Sequence, residues 1–294
     1  MSNPQEILKN LQPTKEFFIG IDSDGCAFDT MEIKQKECFC PNFILFFEMQ
    51  KISKYARETW EFVNLYSKNR GCNRFLALTE TMKLLSERPE VAARNMLIPD
   101  MTALIEWIKN ESKLGNPALE KYANQANIPM ISLTYDWSIQ VNKDIHKMVY
   151  GMPPFPFVRE SLEALTKKAD ALVVSQTPVE ALEREWKENN IDHFVRLIAG
   201  QEYGTKTEHL ALAAKNKYPD NKILMIGDAP GDLKAARSND VLFFPINPGH
   251  EETSWERFYK EGLERFFKGN YAGKYEDELI SEFDGYLPET PVWK

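Results

Sequence analysis

The sequence predicts an α/β protein, a doubly wound parallel sheet interrupted by a long all-helical insert. Three observations predict it. Short apolar runs at 17–21, 171–174, 195–199 and 223–226 are each followed by polar or glycine-rich residues, and a fifth stands at 241–244. Amphipathic stretches with helical spacing separate the last four, the alternation expected of parallel strands joined by helices. Residues 31–150 break that rhythm with long helical patterns and no repeat of strand, turn and helix.

Taken in order, Phe17-Phe18-Ile19-Gly20-Ile21 reads as a buried first strand. The insert follows, rich in Phe, Leu, Met, Trp and Lys. Its clearest helical patterns run over 43–66 and 101–113, and Pro89, Pro99, Pro117 and Pro129 interrupt it. Gly151-Met152-Pro153-Pro154-Phe155-Pro156 is a stiff connector suited to a boundary, so a core of 1–30 and 151–294 is expected around an insert of 31–150. After the second strand, Val179, Leu182 and Trp186 mark the apolar face of a helix over 178–189, with Thr177 as its N-cap and Pro178 in its first turn. Beyond the fifth strand, 254–268 reads as another helix and 274–294 as a tail that wraps the core.

A length of 294 residues fits a core with one sizeable accessory domain, and 43% hydrophobic with 27% charged residues suits a globular protein with a filled core. The net charge of -8 argues against partners bound by neutralising phosphate backbones, so nucleic acid and anionic membranes are not expected. No apolar run reaches membrane-spanning length, and Met1 to Glu6 carries no basic segment leading into an apolar one. Cys26, Cys38, Cys40 and Cys72 match no zinc or redox spacing, which fits reduced thiols in a cytoplasmic protein. The four histidines show no ligand spacing, and nothing in the sequence fixes an oligomeric state.

The chemistry concentrates where strands end. Asp22-Ser23-Asp24-Gly25-Cys26-Ala27-Phe28-Asp29 follows the first strand directly, and carboxylates so close together repel unless a cation compensates them. Magnesium suits such a loop, because it prefers oxygen ligands and keeps waters that a phosphate can replace. Gly227-Asp228-Ala229-Pro230-Gly231-Asp232 repeats the pattern after the fourth strand. Ser175-Gln176-Thr177 after the second offers a hydroxyl and amides to phosphate oxygens, and Lys206 after the third offers a cation. In an open α/β sheet these strand ends share one crevice.

That ordered set over residues 17–245 resembles the haloacid dehalogenase superfamily, whose four motifs follow four strands in this order. Asp22 to Asp29 is similar to its first motif, Ser175 to the second, Lys206 to the third, and Asp228 with Asp232 to the fourth. The resemblance implies a Rossmann-like core with a helical cap inserted between the first two motifs, and hydrolysis of a small phosphorylated metabolite. It implies further that Asp22 is the nucleophile that becomes an aspartyl phosphate, and that Asp24 is general acid and then general base. Magnesium would be held by Asp22, the backbone carbonyl of Asp24, and Asp228, with Asp232 beside them. Ser175 and Lys206 would bind the transferred phosphoryl group, and Gln176 lies next to them.

Members resembling the dehalogenases lack an acid at the Asp24 position, so halide displacement is not expected. Ser23, Cys26 and Gln176 depart from the residues usual at their positions, and Cys26 reads as a small packing residue. In the insert, Arg70 and Arg74 within Lys68-Asn69-Arg70-Gly71-Cys72-Asn73-Arg74 are candidate contacts for a second part of the substrate, set against a plain basic turn between helices. Two alternatives use the same residues. One is a phosphotransferase resembling β-phosphoglucomutase; the other is a protein that binds phosphorylated ligands without turning them over.

Overall fold

The computed structural model describes residues 3–294, which divide into two compact units: residues 3–31 with Gly151–Pro288, and Glu32–Tyr150 with Glu289–Lys294. The first holds a five-stranded, all-parallel sheet of β1 (Phe17–Ile21), β2 (Ala169–Val174), β3 (Leu197–Ala199), β4 (Ile223–Gly227) and β5 (Leu242–Pro245), in the order β3-β2-β1-β4-β5. All five predicted strands are present, with β3 two residues shorter at its start. Every β1 residue is buried, as a central strand flanked on both sides requires.

The pleat of β1 sorts its side chains between two cores. Phe17, Ile19 and Ile21 join Val158, Leu162, Leu182, Trp186, Trp255 and Phe266 on one face. Phe18 points the other way, among Leu8, Leu210, Ala213, Ala235 and Phe283. Helices therefore cover both faces, which is what double winding means physically. The edge strand β5 is closed as well: the buried Glu276 carboxylate accepts from Phe243 N–H at 2.9 Å, and Tyr271 O–H donates to the Phe243 carbonyl at 2.7 Å. An open row of backbone groups would otherwise invite pairing with another chain.

At the opposite end of the sheet from the acidic loops, buried Asp170 ties the N-terminal segment down. It accepts from Thr14 N (2.7 Å), Thr14 Oγ1 (2.5 Å), Lys15 N (3.1 Å) and Tyr218 O–H (2.6 Å). Burial pushes its carboxyl up, but the donors of Thr14 and Tyr218 outweigh it and hold the carboxyl below its usual value. A group depressed in the folded state binds more protons when unfolded. Its contribution is thus present above about pH 4 and is lost as pH falls through the lower folded value. Asp170→Asn should cost roughly 2–4 kcal/mol in urea unfolding at pH 7, and the gap from wild type should shrink below pH 4. A pH-independent gap would refute this assignment.

The second unit is all helical. Its core gathers aromatic rings, with Trp60 against Trp137 at 5.9 Å and Phe43 against Trp60 at 5.0 Å, and Trp60 Nε1 donates to Gln35 Oε1 at 2.9 Å. The expected helix over 43–66 is broken. Cys40–Phe46 ends before Glu48, which takes a left-handed conformation (φ 56°), and a 3-10 turn (Met49–Ile52) leads into Ser53–Leu65. The expected helix over 101–113 is Thr102–Asn110.

Two further expectations need correction. The helix placed at 254–268 begins at Glu251, carries a π-helical turn over Phe258–Gly262, and stops at left-handed Gly269. The tail does not simply wrap the core. Lys274–Tyr286 is a helix of the first unit, whereas the last six residues belong to the helical one, so the expected core limit of 294 moves to 288. There the Arg88 guanidinium lies over the Trp293 ring at 4.3 Å, Trp293 meets Phe62 edge-on at 5.4 Å, and Lys294 pairs with Glu87. Arg88 is buried and also pairs with Glu58 at 2.8 Å, so its stacking on an aromatic face is firmly anchored.

Candidate active site

Asp22 is the first residue past β1, and Asp228 the first past β4. In the register Ile21 lies beside Val173 and Ile226, so Ser175, Asp22 and Asp228 all emerge at the carboxyl edge of the sheet. Asp232 sits in the first turn of the helix Pro230–Ser238, where its Oδ2 accepts from Ala229 N at 3.1 Å. A Cβ on Gly227 would lie 2.4 Å from the Asp232 Cβ and Cγ, so only glycine lets this carboxylate fold over the end of β4.

Asp22, Asp228 and Asp232 each offer a carboxylate oxygen within 4.8 Å of the others, and all three residues are buried. Lys206, first residue of the helix Lys206–Ala213, reaches Asp22 Oδ2 at 2.7 Å and Asp232 Oδ1 at 2.6 Å. Thr205 and Glu208 cap that helix reciprocally, which fixes where the lysine starts. Burial raises the Asp22 carboxyl well above its usual value. The Lys206 charge opposes that rise, while Asp232 and Asp228 add to it. Lys206 itself is raised: burial works against its charge, and Asp22 and Asp232 more than restore it.

One ammonium among three carboxylates leaves negative charge that burial makes costly. A hard divalent cation with oxygen ligands is the natural complement, so the donor set fits magnesium. Burial and then the neighbouring Asp228, Asp22 and Asp232 charges push the Cys26 thiol far up.

The Asp24 carboxylate stands outside this trio. Thr30 Oγ1 lies 2.5 Å from its Oδ1, and Thr177 Oγ1 lies 2.7 Å from its Oδ2. Buried Ser175 accepts from Thr177 N at 3.3 Å. Gln176, expected as a substrate contact, directs its amide nitrogen to the backbone, donating to Gly204 O at 2.9 Å and Ser175 O at 3.2 Å. That geometry makes it a clamp between two loops. Arg70 and Arg74 belong to the helical unit. Buried Arg70 Nη1 donates to Leu65 O at 2.9 Å; Arg74 lies over Phe39 and donates to Ser138 Oγ at 2.9 Å and Asn142 Oδ1 at 2.7 Å.

Two tryptophans hold the acidic loop in ways the sequence did not announce. Trp186 Nε1 donates to Ser23 Oγ at 3.0 Å, while Ser23 N donates to Asp22 Oδ1 at 2.8 Å. Trp255 Nε1 donates to Cys26 O at 2.7 Å. A serine after Asp22, unusual by motif, therefore gives a buried indole its hydrogen-bond partner beside the loop it must fix. Helical spacing marked Trp186 only as a packing residue.

Comparison with known proteins agrees with this geometry. A family profile described as haloacid dehalogenase-like hydrolase matches residues 102–245, a span that takes in Ser175, Lys206, Asp228 and Asp232. No curated protein sequence matches the chain significantly. Among solved structures, a candidate phosphoglycolate phosphatase from Lactobacillus delbrueckii subsp. bulgaricus is similar over 86% of this chain and 98% of its own, with 15% identity and a TM-score of 0.50. A haloacid dehalogenase-like family hydrolase from Streptococcus pneumoniae covers 84% of this chain and 92% of its own, with 16% identity and a TM-score of 0.46. At such identity the likeness concerns fold. Among the described residues no helix is long and apolar enough to cross a membrane. Beside a parallel sheet in the order β3-β2-β1-β4-β5 with acids and a lysine gathered at one edge, the chain carries over residues 102–245 a haloacid dehalogenase-like hydrolase region.

Proposed function

We propose that this hydrolase is a magnesium-dependent phosphatase acting on small phosphorylated metabolites through a phosphorylated Asp22. The observation that carries the reading is the buried trio Asp22, Asp228 and Asp232, with Lys206 bridging two of its members. Magnesium, held by Asp22 and Asp228 with Asp232 beside them, would supply positive charge to the non-bridging phosphoryl oxygens.

The residues divide the work as follows. An Asp22 oxygen attacks phosphorus as the ester oxygen departs, and Asp24 gives that oxygen its proton. Water then yields a proton to Asp24 and attacks the aspartyl phosphate, releasing phosphate and restoring both carboxyls. Lys206 and the Ser175 hydroxyl neutralise and orient the transferred group, whose passage depends mainly on charge and position. The acid-base pair is what separates this reading from displacement of halide, where no leaving oxygen needs a proton.

The direct test is release of nitrophenol from p-nitrophenyl phosphate. Turnover is expected with magnesium, should vanish with a chelator and should return when magnesium is restored. Turnover indifferent to chelation would refute the metal assignment, and inertness toward every phosphate ester supplied would refute the phosphatase reading.

A further inference from the structure

Thr177, expected as the N-cap, lies one residue outside the helix Val179–Glu188, whose N-cap is Pro178. Proline has no side-chain oxygen with which to cap. The Thr177 hydroxyl lies 2.7 Å from Asp24 Oδ2. The first helical N–H is met from another loop, by Glu202 Oε2, which accepts from Val179 N at 3.0 Å.

The backbone of Thr177 is pinned on both sides. Its N–H reaches Ser175 Oγ at 3.3 Å, and its carbonyl accepts from Gln201 N at 3.1 Å. Gly200 makes that last approach possible, since a Cβ there would lie 2.4 Å from the Thr177 carbonyl oxygen. The hydroxyl expected at the helix start is thus turned to another strand end, and a carboxylate from a separate loop serves the first helical N–H.

We infer that Thr177 is a positioning residue for Asp24, joining the loop after β2 to the acid-base carboxyl of the loop after β1. Thr30 fixes one oxygen of Asp24 from within its own loop; Thr177 fixes the other from a separate strand end, so the carboxyl cannot swing about its side-chain torsion. The inference rests on the phosphatase reading, in which Asp24 must meet both the leaving oxygen and the attacking water.

The test compares Thr177→Val, which keeps the shape and removes the hydroxyl, with Thr177→Ser, which keeps the hydroxyl, on p-nitrophenyl phosphate. Thr177→Val should lower kcat by roughly tenfold to a hundredfold with KM within about twofold, the scale of a misplaced catalytic group. Thr177→Ser should recover kcat to within about threefold of wild type, and the melting temperatures of all three should nearly coincide. Wild-type kcat in Thr177→Val, or a Thr177→Ser enzyme as slow as the valine variant, would overturn the role of Thr177 while leaving the phosphatase intact. A wild-type protein inert on all esters would overturn both together.

Discussion

Asp22→Asn is expected to reduce phosphate release by at least about a thousandfold, because an amide oxygen cannot act as the nucleophile. The neighbours should stay in place. Asparagine has nearly the same shape, and its oxygen can still accept from Ser23 N, which donates to Asp22 Oδ1 at 2.8 Å. The variant should also fold at least as stably as wild type, since burial disfavours the Asp22 charge and Asp232 and Asp228 repel it. Acid-quenched protein from radiolabelled substrate gives the decisive reading, with label on wild type and none on Asp22→Asn. Label of equal amount on the variant would remove Asp22 from the mechanism.

Lys206→Met should have the largest combined effect. The substitution removes the ammonium that reaches Asp22 and Asp232, and a buried pair broken from one side typically costs about 3–5 kcal/mol. Activity should fall at least about a hundredfold, since the phosphoryl charge loses a fixed partner. Without the lysine that holds it down, the Asp22 carboxyl, already raised by burial, should titrate higher still in the folded state. The native state then binds more protons, so stability should rise as pH falls from 7 toward 5, a slope steeper than that of wild type. Magnesium should recover part of the loss, shifting the melting temperature of Lys206→Met more than that of wild type. Thermal unfolding with and without magnesium at pH 5 and 7 checks each sign; equal shifts in both proteins would refute the shared-charge account.

The core of the fold was legible because a central parallel strand must be apolar on both faces, and Phe17-Phe18-Ile19-Gly20-Ile21 satisfies that without ambiguity. Asp22, Lys206, Asp228 and Asp232 were legible for a related reason: strand ends of a doubly wound sheet converge wherever the chain goes in between. Legibility failed where a side chain had two local uses. Thr177 before Pro178 looks like a cap, and only the partner 153 residues away shows that its hydroxyl is engaged by Asp24. Trp186 fits a packing stripe equally well, whether or not its indole N–H has Ser23 to meet. Within the helical unit, continuous apolar periodicity hid the break at Glu48, because a single left-handed residue leaves no mark on hydrophobic spacing.

The hexapeptide Glu289–Lys294 bears on how the helical body can be studied alone. An excised fragment covering 32–150 would lack the indole that lies over Arg88 and packs edge-on against Phe62, leaving the guanidinium with the Tyr55 ring but without the indole, and the Phe62 ring more open to water. Such a piece is missing part of its own interior surface, although its sequence is uninterrupted. A faithful excision therefore joins two distant stretches of chain, and a tag fused after Lys294 hangs from the helical body rather than from the sheet.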